Sequence, residues 1–343
     1  RRTVSEMVEE TRDMDIARAV RYILLFTLLA ETAGTVVLFL RFLPEFPTVL
    51  SAFYHALFHS ISAFCNAGFS LFSDSLVRYR ADLVVNLSII GLILLGGLGF
   101  TVVHEIVNRN TLRLGLRRAL RDLTVHSRIV LTTSGLLIAI GAVFFFFFEF
   151  ERTLAGMPLG TRLLASLFQA VTPRTAGFNT VPLTALHPVT LFIIVLLMFI
   201  GASPGGTGGG IKTSTFAVLL LAVRARLTGH DEIVAGRRFI PRDVVYRATA
   251  IAVTAAAAVS GVFVLLLATQ TFRFQDLLFE TVSAFGTVGL STGLTPDLSG
   301  IGRMAIIILM YVGRLGPLTL TLAMGARQSH LPISYPKARV MVG

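Results

Sequence analysis

The sequence predicts an all-α polytopic membrane protein made of repeated units, each a span, a short half-helix and a second span. Three observations lead there. The 343 residues are 54% apolar and 14% charged, with a mean hydropathy of +0.77, whereas soluble domains carry about a quarter charged residues. Apolar runs near the ~20 residues needed to cross hydrocarbon recur at 22–40, 83–103, 129–148, 244–268 and 304–326. Between them a pattern returns three times: a short apolar segment enters a small-residue turn at Gly68, Gly177 and Gly289, which lie 109 and 112 residues apart. Such self-similarity marks an internal repeat.

Taken in order, the first repeat crosses outward at 22–40, and Pro44 and Pro47 end that helix. Residues 51–64 then form a half-helix, the turn at Gly68 follows, and 83–103 crosses back. The second repeat uses 129–150, the half-helix 161–172 and an interrupted pair over 189–223. The third uses 244–268, 274–285 and 304–326. Helices of 12–14 residues cover roughly 18–21 Å, against ~30 Å of hydrocarbon. Backbone left open at membrane depth is tolerated only where it lines a water-filled path or is buried in protein, so the repeat points to a pore.

The net charge of +11 raises the question of a nucleic-acid partner. Its distribution argues for topology instead. Arg109, Arg113, Arg117, Arg118, Arg121 and Arg128 fill one inter-repeat segment, and Arg224, Arg226, Arg237, Arg238, Arg242 and Arg247 the next. With the two terminal segments, 20 of the 30 Lys and Arg lie on that side. This positive-inside bias puts the half-helices and their turns on the outer side. Cys65 is the one cysteine and permits no intrachain disulfide.

The turns carry a specific chemistry. A cation leaving water needs oxygens of similar number and field, which backbone carbonyls provide without fixed charge. Glycine accepts the positive φ that turns a carbonyl inward, and small neighbours such as Ala67, Ala176 and Thr287 leave room. Half-helices aiming their C-termini at the centre add the negative end of each dipole. A plain helix C-cap explains one such glycine; three in register between spans need more.

The turns Ser62-Ala-Phe-Cys-Asn-Ala-Gly-Phe-Ser70, Thr172-Pro-Arg-Thr-Ala-Gly-Phe-Asn-Thr180 and Ser283-Ala-Phe-Gly-Thr-Val-Gly-Leu-Ser291 resemble filter loops two, three and four of the Trk/Ktr/HKT potassium transporters. The stretch Gly201, Ala202, Ser203, Pro204, Gly205, Gly206, Thr207, Gly208, Gly209 and Gly210 resembles their intramembrane gate, and the ending Tyr335-Pro-Lys-Ala-Arg339 is most like the KtrB-type membrane subunit of the Ktr branch. The resemblance implies a pseudo-fourfold pore, with Asn66, Ala67, Gly68, Phe69, Thr175, Ala176, Gly177, Phe178, Thr287, Val288, Gly289 and Leu290 as filter residues. It also implies K+ as the transported ion, with Na+ left open as a coupling or activating ion and no further cofactor. Implied partners are the lipid bilayer, a second copy in a homodimer, and a cytosolic ring of nucleotide-binding regulatory subunits of the KtrA/TrkA type, without nucleic acid. The expected place is the bacterial inner membrane, with the inter-repeat loops in the cytosol.

Units two, three and four are expected at 20–107, 129–223 and 244–326, joined by cytosolic basic loops at 108–128 and 224–243, with terminal segments 1–19 and 327–343. At about 110 residues a unit, four units need about 440 residues, so the sequence leads to the expectation that three of four are present and the first is absent.

Lys212-Thr213 after the glycines looks superficially like a phosphate-binding loop, but Ile211 stands where glycine is required and a span precedes it. A flexible linker is the usual reading of such composition, yet unpaired backbone cannot face lipid; a pore-facing gate fits both. Lys212 and Arg314 are the bases within apolar stretches, where a charge costs several kcal/mol unless paired or hydrated. The resemblance implies that Arg314 acts near the gate, whereas Lys212 could equally reach the interface. Among the acids, Glu280 is expected to anchor the filter or attract cations, and Glu31 to pair structurally. Against the uptake reading stands a secondary transporter of a small anionic solute using broken helices. An enzyme is disfavoured by the lack of a catalytic constellation.

Overall fold

The computed structural model describes residues 16–107 and 123–316, apart from Asp231 and Arg237. Among them are eleven helices and one small hairpin, arranged as three consecutive copies of span, half-helix and return helix. The expected segment 108–122, the terminal tails and residues 317–326 of the last span lie outside the described residues.

The first copy holds α1 (Ile16–Phe42), α2 (Val49–Phe64), α3 (Leu83–Gly97) and α4 (Phe100–Val107). The second holds α5 (Val125–Glu149), α6 (Leu159–Val171), α7 (Pro188–Phe199) and α8 (Thr213–Leu227). A hairpin of β1 (Val234–Ala235) and β2 (Arg238–Phe239) leads to the third, α9 (Arg242–Thr269), α10 (Phe274–Gly286) and α11 (Gly300–Leu315). By length and composition α1, α5 and α9 can cross a membrane, with mean hydropathies of 2.2, 2.3 and 2.5. At 25–28 residues they reach roughly 38–42 Å. The half-helices α2, α6 and α10, of 16, 13 and 13 residues, reach only about 20–24 Å. Their starts fall at or within two residues of expectation; the Thr48 hydroxyl accepts from Ser51 N–H at 3.2 Å and fixes where α2 begins.

Each copy is tied by a polar clamp between the end of its first span and the N-cap of its return helix. Arg41 Nε donates to Asp82 Oδ2 at 2.5 Å, and Asp82 caps α3. The buried Glu149 accepts from His187 N–H at 2.9 Å and from the Thr190 hydroxyl at 2.6 Å. Gln270 Oε1 accepts from Ser299 N–H at 3.1 Å. Outside the first clamp, burial and then the Glu45 carboxylate that accepts from its hydroxyl push the Tyr79 phenol up.

The apolar cores lie between copies. One joins Phe42, Phe64 and Ile89 of the first to Phe168 and Phe178 of the second. Another joins Ile194 and Met198 of the second to Phe279 and Phe285 of the third. The phenylalanine run divides by helical phase: Phe145 is buried while Phe144, Phe147 and Phe148 are exposed.

One expected span is corrected. Residues 83–103 do not form a straight helix, because α3 stops at Gly97 and α4 leaves at 107° to it. Gly99 occupies the joint at φ +87°, a value that disfavours any side chain. The loop between α7 and α8 takes over the hydrogen bonds the helix gives up: Ser203 N–H donates to Gly97 O at 2.9 Å, Thr207 N–H to Gly96 O at 3.0 Å, and Phe100 N–H to Gly205 O at 3.3 Å. The bend is therefore a docking site for that loop.

Candidate functional site

The three half-helices deliver their glycine turns to one place. A Cβ on Gly68 would stand 2.8 Å from Gly177 Cα and collide with Ala176 O; one on Gly177 would stand 3.1 Å from Gly68 Cα and collide with Val288 O. A Cβ on Gly289 would stand 3.8 Å from Gly177 Cα and 3.9 Å from Ala67 O. The carbonyls of Ala67, Ala176 and Val288, each just before a glycine, thus meet a glycine of another turn. The glycines have φ of +72°, +85° and +90°, and two residues earlier Asn66, Thr175 and Thr287 have +52°, +73° and +49°. The residues between do not have positive φ. Alternation of hand turns neighbouring peptide groups the same way, and only support from the surroundings keeps three non-glycine residues in the left-handed region.

That support includes a hydroxyl that the sequence reading passed over. Ser62 Oγ donates to Phe69 O at 2.8 Å, Thr172 Oγ1 to Phe178 O at 2.5 Å and Ser283 Oγ to Leu290 O at 2.6 Å. The same residues' backbone carbonyls accept from Ala67, Ala176 and Val288 N–H at 2.8, 2.9 and 2.9 Å. Each pin anchors the carbonyl after the glycine and so closes the turn on the end of its own half-helix. The signal was a hydroxyl at the end of every half-helix; its geometry was not in the pattern. The second turn achieves the same closure with one residue fewer.

A second aligned position is polar and buried: His59, Gln169 and Glu280. His59 Nε2 meets Ser70 Oγ at 3.0 Å, Glu280 accepts from the Thr295 hydroxyl, and the Gln169 amide has no partner among the described residues. Asn66 braces the neighbouring turn, its Nδ2 reaching Thr175 Oγ1 at 3.2 Å and Arg174 O at 3.5 Å. Phe69 is 70% exposed, whereas Phe178 and Leu290 are buried. Glu31 meets the Cys65 thiol at 3.8 Å and makes no ion pair among the described residues.

Residues 201–210 lie directly beneath this ring, with successive residues facing successive turns. The Thr207 hydroxyl donates to Phe64 O at 3.1 Å, a Cβ on Gly208 would stand 2.9 Å from Thr175 Cβ, and one on Gly209 would stand 2.6 Å from Thr287 Oγ1. The loop neck is closed by Gly201 N–H to Ile211 O at 2.9 Å, Ala202 N–H to Gly209 O at 3.3 Å and the Ser203–Thr213 hydroxyl pair at 2.9 Å. Lys212 turns back into the loop, its Nζ donating to Gly208 O at 2.7 Å. Arg314, exposed on α11, points Nη1 toward Thr287 Oγ1 at 3.5 Å. Lys212 thus contacts the loop and Arg314 the third turn.

A family model described as TrkH, cation transport protein, matches residues 2–330. The chain belongs to the TrkH family. It is 40% identical over 340 residues to Ktr system potassium uptake protein B of Vibrio alginolyticus, covering 98% of this chain and 73% of that protein. Against the protein of the same description from Bacillus subtilis it is 38% identical over 346 residues, covering 100% of this chain and 75% of the relative. Potassium/sodium uptake protein NtpJ of Enterococcus hirae is 35% identical over 329 residues, covering 94% and 71%. The crystal structure of the potassium transporter TrkH from Vibrio parahaemolyticus shares the fold at a TM-score of 0.70 and 20% identity, over 90% of this chain and 64% of that one. Membership in the TrkH family makes this a multi-pass membrane transport protein rather than an enzyme.

Proposed function

We propose that this chain is the cation-conducting subunit of a potassium uptake system in a bacterial cytoplasmic membrane. The observation that carries the reading is the meeting of three glycine turns, each with alternating positive φ, above a glycine loop that touches all three. In this reading the carbonyls around Asn66–Phe69, Thr175–Phe178 and Thr287–Leu290 replace the ion's hydration shell. Residues 201–210 obstruct the inner half of the path, Lys212 holds that loop in shape, and Arg314 sets a positive charge beside the third turn. Inward flow follows the membrane potential, about 2.3 kcal/mol per charge per 100 mV, with Na+ as a coupling or activating ion.

Units two, three and four take residues 20–107, 129–223 and 244–326, with the basic connections 108–128 and 224–243 in the cytosol. Those connections offer the docking surface for a cytosolic ring of nucleotide-binding regulatory subunits, and the membrane subunit pairs as a homodimer. Support comes from the arginine clusters and from the Ktr-system descriptions of the relatives. The test is uptake of K+ and Rb+ by the complete transporter in a strain lacking its own potassium uptake. Growth at micromolar K+ is the expected result; solute-dependent transport without cation flux would favour the broken-helix transporter instead.

A further inference from the structure

Arg174 stands in the second glycine turn, three residues before Gly177, and neither the ring nor the loop beneath it uses its side chain. It is 4% exposed, and its Nε and Nη1 have no hydrogen-bond partner among the described residues. No carboxylate pairs with it among the described residues. A buried, unpaired guanidinium is costly, and arginine keeps its proton where other bases shed theirs, so this charge persists. Its surroundings stabilise it without neutralising it. Ile93, Leu94, Gly97 and Leu98 line with it a small void of about 10 Å³, space for about one water. Those residues form the C-terminal end of α3, where the helix dipole favours a cation. Its backbone is part of the ring, since Arg174 O accepts from Asn66 Nδ2 at 3.5 Å.

We propose that Arg174 is a fixed positive charge in the filter wall that excludes divalent cations from the path. The proposal rests on the pore reading given above. A ring of neutral carbonyls attracts a divalent ion more strongly than a monovalent one of equal radius. A charge in its wall opposes this, because it raises the energy of each cation in proportion to valence. At an effective dielectric of about 20 and a separation of roughly 10 Å, one extra unit of ionic charge changes occupancy by about tenfold.

Ba2+ separates valence from size, being close to K+ in radius, so the experiment is Ba2+ inhibition of Rb+ uptake by the complete transporter in proteoliposomes. Arg174→Gln is expected to lower the half-inhibiting Ba2+ concentration about tenfold. Arg174→Lys keeps the charge but loses the planar fork, and is expected to stay within about twofold of the parent. Leu94→Glu keeps the arginine and places a counter-charge at the void; it is expected to sensitise uptake as Arg174→Gln does. Unchanged Ba2+ sensitivity in Arg174→Gln overturns the proposal, as does equal sensitisation in Arg174→Lys, which would make the residue a structural brace. Should Arg174→Gln fail to assemble, Leu94→Glu decides: flux with unaltered Ba2+ sensitivity overturns the assignment. A complete transporter without Rb+ flux overturns the pore reading itself, a result distinct from flux with unaltered block.

Discussion

In each glycine turn, a hydroxyl at the end of the half-helix holds the carbonyl just past the glycine, so Ser62, Thr172 and Ser283 stabilise their own turns from within. The loop of residues 201–210 is held differently. Besides its neck, the Gly206 N–H bond to Ser203 O at 3.1 Å and the Lys212 bond to Gly208 O, its bonds go to the first copy: Gly96 and Gly97 of the broken helix, and Phe64 at the end of the first half-helix. The turns are short, repeated and locally closed. The loop is long, single and dependent on borrowed partners. Bonds made within one turn must break for it to move at all, whereas borrowed ones can be exchanged for water one at a time. Glycine thus serves two elements a few ångströms apart, and in the proposed gating their hydrogen-bond partners decide which of them moves.

The largest effect should come from giving a turn a side chain. Gly177→Ala in the complete transporter places a Cβ against Val288 O at φ +85° and is expected to reduce K+ uptake by about 100-fold or more. Uptake at the parental rate would show that the turns are not the path. Deleting residues 205–209 is next: it removes the part of the loop beneath the ring and should raise flux roughly tenfold, since a loop held by exchangeable bonds is an obstruction rather than a scaffold. Flux that stays the same would strip the loop of its gating role. Ser62→Ala or Ser283→Ala removes one pin worth about 1 kcal/mol, so K+ over Na+ discrimination, read from competition uptake, should fall about fivefold. Lys212→Met loses a single donor to Gly208 O and is expected to raise flux only about two- to threefold, because the neck bonds remain. A larger effect from Lys212→Met than from the deletion would reverse the comparison.

Much of this arrangement could be read before any coordinates. The spacing of Gly68, Gly177 and Gly289 is a property of the chain, and hydropathy fixed α1, α5 and α9 because long apolar runs have few alternatives. The bend after Gly97 was hidden, since residues 83–103 are predominantly apolar and uncharged, and a docking loop more than 100 residues away decides where the helix stops. The pins were half legible: the aligned hydroxyls were in plain view, but a serine beside a pore can face an ion or its own backbone, and only geometry separates the two. Arg174 was missed for a related reason. Within the turn it looks like a residue that would point to solvent, and its burial against α3 depends on how two copies pack.

The bend in the first return helix carries a consequence for water. While the loop is in place, the Gly96 and Gly97 carbonyls are capped by Thr207 and Ser203 N–H. When it leaves, both oxygens and the two departing amides need new partners at membrane depth, and water is the available donor and acceptor. In the proposed gating, opening therefore draws solvent in beneath the turns, and the balance between closed and open forms becomes sensitive to osmotic pressure. A concentrated solute too large to enter that space should shift the protein toward the shut form without touching it.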